Sequence, residues 1–267
     1  MIITRTPLRI SFFGGGTDYP QYFNEHGGAV LATAIDKYIY VANNNGKIWW
    51  HSDLPMRSGM ATSSAYTVGL LKASSHKTNE EIAEIATFWE SQKLDGNVGV
   101  QDQYLCAKGG FHRLRFFASG IVDEVVDYKW LEPYLMLVDS GQYRSGSVFS
   151  QHQLDRVSKN LDVLQRIKEM ALVDYKDYES FGLALNKAWQ LKKSLAEDVT
   201  TPFTDDIFAK AIKAGAIGGK QLGAGGGGFM IFVVEPDKQD AVRNVLHLNE
   251  IPFKFESKGS EVIYADS

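Results

Sequence analysis

The sequence predicts an α+β fold, and three observations carry that reading. Strand-like runs follow one another without a helix between each pair, helical periods are grouped rather than interleaved, and glycine clusters stand where strands end. A doubly wound parallel sheet would need strict alternation of strand and helix, which is missing. With 267 residues, 44% of them hydrophobic and 22% charged, the chain can bury a large core and form two domains. With no low-complexity linker to mark it, the boundary is placed near residue 130, giving 1–130 and 131–267.

In order, Ile2 to Phe13 is rich in Ile, Leu and Phe and reads as a strand that stops at Gly14-Gly15-Gly16. Tyr19 to His26 reads as a connector and Ala29 to Ala42 as a second strand. Asn43 to Gly46 is a turn by composition, followed by a brief strand over Lys47–His51. Thr62 to Ser75 suits a helix, and Asn79 opens another that runs to about Lys93, with Asn79 as cap and Glu80 and Glu81 in its first turn. A short helix enters Cys106. Phe111–Phe117 and Ile121–Val126 form a hairpin around Ala118-Ser119-Gly120, and Leu135–Asp139 is a further strand. From Ser145 to Leu195 the period is helical, with a break near Val173-Asp174. Thr204 to Gly215 is a shorter helix capped by Thr204 or Asp205. Strand Phe229–Val234, helix Asp237–Leu248 and strands Phe253–Glu256 and Val262–Ala265 complete the chain.

The formal net charge is −4 and no Lys/Arg-rich run occurs, which excludes a nucleic-acid footprint. An anionic ligand must therefore be held by local groups. The single cysteine, Cys106, excludes an intramolecular disulfide framework and fits a reducing cytoplasm. No signal-peptide pattern and no run of eighteen apolar residues is present, so the expectation is a cytoplasmic protein without a membrane partner.

Three separated glycine-bearing segments carry the chemistry: 7–20, 55–65 and 223–229. Glycine takes positive φ freely and has no Cβ, so backbone N–H groups can converge on an anion. Three such places point to a site around phosphates and a polyhydroxy substrate. Residues 223–228 formally satisfy the dinucleotide fingerprint, but a strand follows where that fingerprint needs a helix. No Walker A spacing occurs. Gly59 with Thr62, Ser63 and Ser64 sits where a loop turns into a helix, so free amides, the positive dipole end and three hydroxyls converge, and hydroxyls also suit Mg²⁺. The competing role for Thr62 or Ser63 is an ordinary helix cap. Asp102, after Gly99-Val100-Gln101, is either a cap or a base for an attacking hydroxyl beside a cation. Glu90 is either a solvated helix residue or a hard oxygen ligand for Mg²⁺.

These segments, in this order, with Gln101-Asp102-Gln103-Tyr104 between the second and third, resemble the GHMP kinase superfamily. Gly14 to Pro20, Ile35 to Tyr38, Gly99 to Tyr104, Leu191 to Leu195 and Gly218 to Phe229 are similar to the D-glycero-D-manno-heptose 7-phosphate kinases, and the likeness runs from Met1 to the end. The resemblance implies an N-terminal domain like ribosomal protein S5 domain 2, a ferredoxin-like C-terminal domain and a site between them. It implies ATP-dependent transfer to the anomeric hydroxyl of a heptose 7-phosphate, with Mg²⁺. By the same resemblance Gly59, Thr62, Ser63 and Ser64 hold the ATP phosphates, and Ser64 and Glu90 hold Mg²⁺. Asp102 is the catalytic aspartate, and Arg9 stabilises it and the transferring phosphoryl group. Gly15, Gly16, Thr17 and Asp18 bind the sugar, and Gly225 and Gly226 belong to a loop closing over it. The sugar's own phosphate needs a second cationic site, for which Arg144 and Lys193, beside Lys192, are the expectation. A homo-oligomer is compatible with this reading. The competing readings are a fucose- or galactose-type kinase and a non-catalytic sugar-phosphate-binding module.

Two departures from the family pattern bear on the nucleotide side. Arg57 and Ala61 stand where the family has glycines, which narrows the backbone angles available. The stretches Tyr40–Asp53 and around Ser75-His76 are shorter than the family's.

Overall fold

The computed structural model describes residues 1–93, 98–143, 159–196, 199–223 and 225–266. Its centre is an antiparallel pair, β1 (Ile2–Phe13) and β2 (Gly28–Asn44). At seventeen residues β2 is long enough to serve two partners. Its first six residues pair with β4 (Phe111–Phe117), and its last six with β3 (Lys47–Ser52). β5 (Gly120–Val125) extends the sheet beyond β4, and β10 (Glu261–Ala265) lies on the other edge against β1. The last strand thus returns to the first sheet rather than staying with the rest of residues 131–267.

Helix α1 (Pro20–His26) follows β1, and α2 (Thr62–Ser74), α3 (Asn79–Lys93) and α4 (Gln101–Lys108) pack on one another, α2 and α4 also meeting β1 and β2. Gly69 lets α2 approach closely: a Cβ there would lie 2.9 Å from Thr6 Oγ1, and Thr4 Oγ1 donates to Gly69 O at 3.0 Å. The second sheet runs β7-β8-β6-β9, with β6 Leu135–Asp139, β7 Ala216–Gln221, β8 Phe229–Val234 and β9 Asn249–Glu250. α5 (Leu161–Ala171), α6 (Tyr178–Lys193), α7 (Pro202–Lys213) and α8 (Gln239–Leu246) complete the described α-helices. An aromatic cluster joins the halves. Phe12 and Phe13 of β1 meet Phe181 of α6 at centroid distances of 5.2 and 5.1 Å, and Phe13 stacks on Tyr175. Truncating a fully buried ring of this kind costs about 3–5 kcal/mol.

The α+β expectation holds, and most strands fall within two residues of their sequence-read bounds. The differences have local causes. Residues 20–26 are helical because Pro20 sits at the first helical position, where its missing N–H costs nothing. α3 is capped by Thr78, whose hydroxyl accepts from Glu81 N while Glu81 reaches back to Thr78 N, so Asn79 is inside the helix. Thr201 caps α7 in the same way through Thr204. Phe253–Glu256 is not a strand; only Phe255 bridges, to Ile35. The two short stretches close tightly. β2 turns into β3 through Asn45 and Gly46, both at positive φ as a two-residue hairpin turn requires, and Ser75–Thr78 joins α2 to α3.

Candidate active site

β1 carries Arg9, opposite Ala34 of β2, and α4 carries Asp102 in its first turn. The guanidinium grips the carboxylate with two bonds, Nε to Oδ1 at 2.7 Å and Nη2 to Oδ2 at 2.9 Å, while Nη1 donates to Gly59 O at 2.8 Å. One side chain therefore ties the first strand, the second glycine segment and α4 together. Burial opposes the Arg9 charge, and Asp102 more than offsets it, so its pKa is raised. The Asp102 side chain remains 26% exposed, against 6% for Arg9, so the carboxylate is the member of the pair that a ligand can reach. Asp102 does not cap α4.

The first glycine segment wraps Asp18. That carboxylate is buried and accepts from Gly16 N at 3.1 Å and Gln101 Nε2 at 2.9 Å; burial, then the nearby Asp102 charge, raises its pKa. Gly99 makes room for it, because a Cβ there would lie 2.3 Å from Asp18 Oδ2. Gly14 turns the chain at φ +86°, with no space for a side chain beside Ala29 O. The Thr17 hydroxyl is buried and engaged with Gly14 O, Ala29 O and Ala29 N, so it holds the loop. Gly15 and Gly16 are part-exposed on the loop surface.

In the second segment α2 begins at Thr62 after Ala61, and no side chain caps it. Thr62 Oγ1 instead accepts from Arg57 N at 3.1 Å, Ser63 is exposed, and Ser64 Oγ donates to Glu90 Oε2 at 2.9 Å. The cap role for Thr62 and Ser63 therefore gives way to an open helix N-terminus. Arg57 and Ala61 both lie at φ +61°, the left-handed region that glycine would occupy without cost.

Glu90 is not a solvated residue. It is largely buried, its pKa is raised by burial, and Ser64 and Gln103 both donate to Oε2. Its other oxygen, Oε1, is buried without a protein partner. Among the described residues no group of three or more His, Cys, Asp or Glu side chains could hold a metal. The free Glu90 Oε1 and the Ser64 hydroxyl beside it are oxygen donors of the kind that would fit a Mg²⁺ taking most of its ligands from phosphate and water.

The third segment lies between β7 and β8, so a strand follows it and the dinucleotide reading fails. Its glycines serve close backbone approach: Gly223 packs on Gly59, a Cβ at Gly228 would lie 2.3 Å from Ser58 O, and one at Gly225 would lie 2.6 Å from Val199 O. Gly226 N donates to Val199 O at 3.0 Å and Gly228 N donates to Gln142 O, so those amides face the protein rather than a substrate.

Arg144 lies outside the described residues. The structure redirects the expectation for Lys193, whose Nζ pairs with Asp205 at 3.3 Å on the outer side of α6. Lys192 points inward instead. It is buried, donates to Gly223 O, and lies within electrostatic reach of Arg9 and Asp18; burial, then the Arg9 charge, lowers its pKa to about 8. The helical period signals this, since Lys192 continues the buried series Phe181, Leu185, Ala188. Lys220 of β7 was also missed. Its Nζ donates at 2.9 Å to both Ser11 O and Phe12 O, where a bulge in β1 leaves Phe12 without a β2 partner. Burial, then Lys192 and Arg9, push its pKa well down. Cys106 is a buried neighbour of this cluster whose thiol is pushed up by burial.

Two family descriptions match the chain: GHMP kinases N terminal domain over residues 27–110 and GHMP kinases C terminal over 151–249. The D-glycero-alpha-D-manno-heptose 7-phosphate kinase of Campylobacter jejuni subsp. jejuni is 28% identical over a gapped alignment 307 positions long, covering 89% of this chain and 91% of that one. A putative sugar kinase from Campylobacter jejuni has a crystal structure with TM-score 0.71 and 26% identity, over 98% of this chain and 97% of that one. A D-glycero-D-manno-heptose 1-phosphate kinase from Bacteriodes thetaiotaomicron superposes with TM-score 0.76 over the whole of both chains at 24% identity, which shows a shared fold. No described helix is long and apolar enough to cross a membrane.

Proposed function

The chain belongs to the GHMP kinase family, and on that premise we propose that it transfers the γ-phosphoryl group of ATP to the anomeric hydroxyl of D-glycero-D-manno-heptose 7-phosphate, giving the 1,7-bisphosphate. The observation that carries this reading is the Arg9–Asp102 fork set against the uncapped start of α2, which puts a reachable carboxylate beside an anion-ready helix end. Phosphoryl transfer needs little covalent chemistry from protein and depends on positioning and charge.

In this reading the first glycine segment and Asp18 hold the sugar with its anomeric hydroxyl toward Asp102. Asp102 takes the hydroxyl proton as the oxygen attacks the γ-phosphorus, and the bond to the β-phosphate oxygen breaks. Arg9 fixes both oxygens of Asp102 and sets positive charge beside the transferring group. The amides at the start of α2, with Gly59 and the hydroxyls of Thr62, Ser63 and Ser64, hold the nucleotide phosphates. Mg²⁺, taken between Ser64 and Glu90, would neutralise charge on the phosphate oxygens. Gly15, Gly16 and Thr17 shape the sugar loop, Gly225 and Gly226 brace the loop over it, and Lys192 is the cation nearest the acceptor's anionic group.

One observation favours an unphosphorylated acceptor, as in a fucose- or galactose-type kinase: Lys193 is already paired with Asp205. The two heptose kinase relatives also differ, in their names, over which position is already phosphorylated. A coupled ADP-release assay over hexoses, heptoses and their phosphates decides. Heptose 7-phosphate should give the highest kcat/KM; equal use of the unphosphorylated heptose would overturn the substrate assignment, and no turnover with any sugar would overturn the kinase reading.

A further inference from the structure

Two side-chain oxygens near the first glycine loop lack partners. Ser11 Oγ and Gln101 Oε1 are both buried, with their residues 6% and 7% exposed, and neither makes a hydrogen bond within the protein. A buried polar group left unsatisfied costs about 1–3 kcal/mol, so such groups in a folded protein call for a missing partner. The two residues converge on one place. A Cβ built on Gly15 would lie 3.8 Å from Ser11 Oγ and 4.0 Å from Gln101 Nε2, with no closer neighbour. Gly15 thus leaves a gap flanked by a hydroxyl and an amide. The orientation of Gln101 is fixed, because Nε2 donates to Asp18 Oδ2 at 2.9 Å. Its carbonyl oxygen is left as an acceptor only. The next residue in sequence is Asp102, and Arg9 stands two residues before Ser11 on the same face of β1, so the gap adjoins the catalytic pair.

We propose that Ser11 Oγ and Gln101 Oε1 take hydroxyl groups of the acceptor, next to the one that is phosphorylated, and so select for a polyhydroxy substrate. The inference rests on the sugar kinase reading and names residues that fix which sugar is used. Ser11 gives and accepts; Gln101 accepts only. Together they demand at least one hydroxyl that donates into the gap, and a deoxy sugar lacking it leaves two buried groups unpaired in the complex.

The test is Ser11→Ala, read in three ways. Without ligand, its thermal midpoint should equal or exceed that of the wild type, because an unsatisfied buried hydroxyl has been removed. With sugar, KM for the acceptor should rise about ten-fold while KM for ATP stays within two-fold. Across a series of monodeoxy acceptors, one should be used equally well by wild type and variant, marking the hydroxyl that Ser11 meets. Gln101→Met, which also loses the bond to Asp18, should raise acceptor KM further. An active wild type with acceptor KM unchanged in Ser11→Ala, or with equal losses on every deoxy acceptor, overturns this inference and leaves the kinase reading standing. A wild type that phosphorylates no sugar overturns both.

Discussion

The loops at residues 14–18 and 57–61 belong to two of the glycine-bearing segments and are built differently. The acceptor-side loop has glycine wherever its backbone is left-handed, at Gly14 (φ +86°) and Gly16 (φ +99°), and Thr17 knots it to Ala29. The nucleotide-side loop has glycine only at Gly59, while Arg57 and Ala61 take φ +61° without that freedom, at roughly 1–2 kcal/mol each. It keeps its shape by bracing from outside. Arg9 holds Gly59 O, Thr62 Oγ1 holds Arg57 N, and Gly59 is pressed against Leu222 and Gly223 of the β7–β8 connection. One loop is right by conformation and cannot be improved; the other is held under strain and can be.

The largest effect should come at the ion pair, which bonds the nucleotide-side loop through Gly59 O and is next in sequence to Gln101, the residue that holds Asp18 of the other loop. Asp102→Asn keeps the size and part of the hydrogen bonding to Arg9 but removes the proton acceptor, so kcat should fall by roughly 10²-fold or more with acceptor affinity changed only a few-fold. Near wild-type turnover in a stopped assay would show that the carboxylate is not the base. Next in size, Gly14→Ala should destabilise by about 3 kcal/mol or more, because the new Cβ would meet a backbone oxygen that cannot move aside, in a left-handed position. A denaturant midpoint near that of the wild type would show that the acceptor loop has slack and would break the contrast.

Lys192 and Lys193 sharpen it on the acceptor side. If Lys192 meets the acceptor's anionic group, Lys192→Met should raise KM for the phosphorylated sugar about ten-fold and leave KM for ATP alone, whereas Lys193→Met should do neither. The pH dependence follows from the direction of the Lys192 shift. Folded, this lysine loses its proton near pH 8, and unfolded near its ordinary 10.5. Between those values the unfolded chain binds more protons, so stability rises with pH across that window. Acceptor affinity should fall over the same range as the charge is lost. Lys192→Met should flatten the affinity profile and make the stability profile shallower, the remaining slope belonging to buried Lys220; parallel profiles in wild type and variant would place the titrating group elsewhere.

The sequence was most legible where pattern and packing agree. β1, β2 and the β4–β5 hairpin are apolar runs bounded by glycine or turn residues, and the family resemblance carried by the glycine segments and Gln101–Tyr104 implied roles for Arg9, Asp18, Glu90 and Asp102 before any contact was known. What it hid depends on distant chain. Lys220 is tied to β1 by a bulge that only pairing with β2 reveals. β9 is two residues long and exists because β6 offers an edge. The caps at Thr78 and Thr201 were readable, since each has a hydroxyl three residues before Glu81 or Thr204, but Asn79 and Thr204 stand closer to the apolar run and drew the assignment. Lys193 was preferred to Lys192 although the helical period already separated them.

The smallest effect has the opposite sign from Gly14→Ala and tests the strain directly. Replacing Ala61 by Gly relieves roughly 1–2 kcal/mol of left-handed strain in the folded loop and returns about 0.4–1 kcal/mol of extra freedom to the unfolded chain. The net should be a stabilisation of about 0.5–1 kcal/mol, seen as a rise of about 2–3 °C in the thermal midpoint for a chain of this size. ATP binding should be unchanged or tighter, because the amides at the start of α2 no longer depend on bracing to keep their direction. Arg57→Gly should behave similarly, less any contact its side chain makes with the nucleotide. If Ala61→Gly lowers the midpoint and weakens ATP together, the alanine is not a strained stand-in for glycine. The left-handed turn at Ala61 would then be one the protein needs restricted, and the two loops would be rigid by the same means.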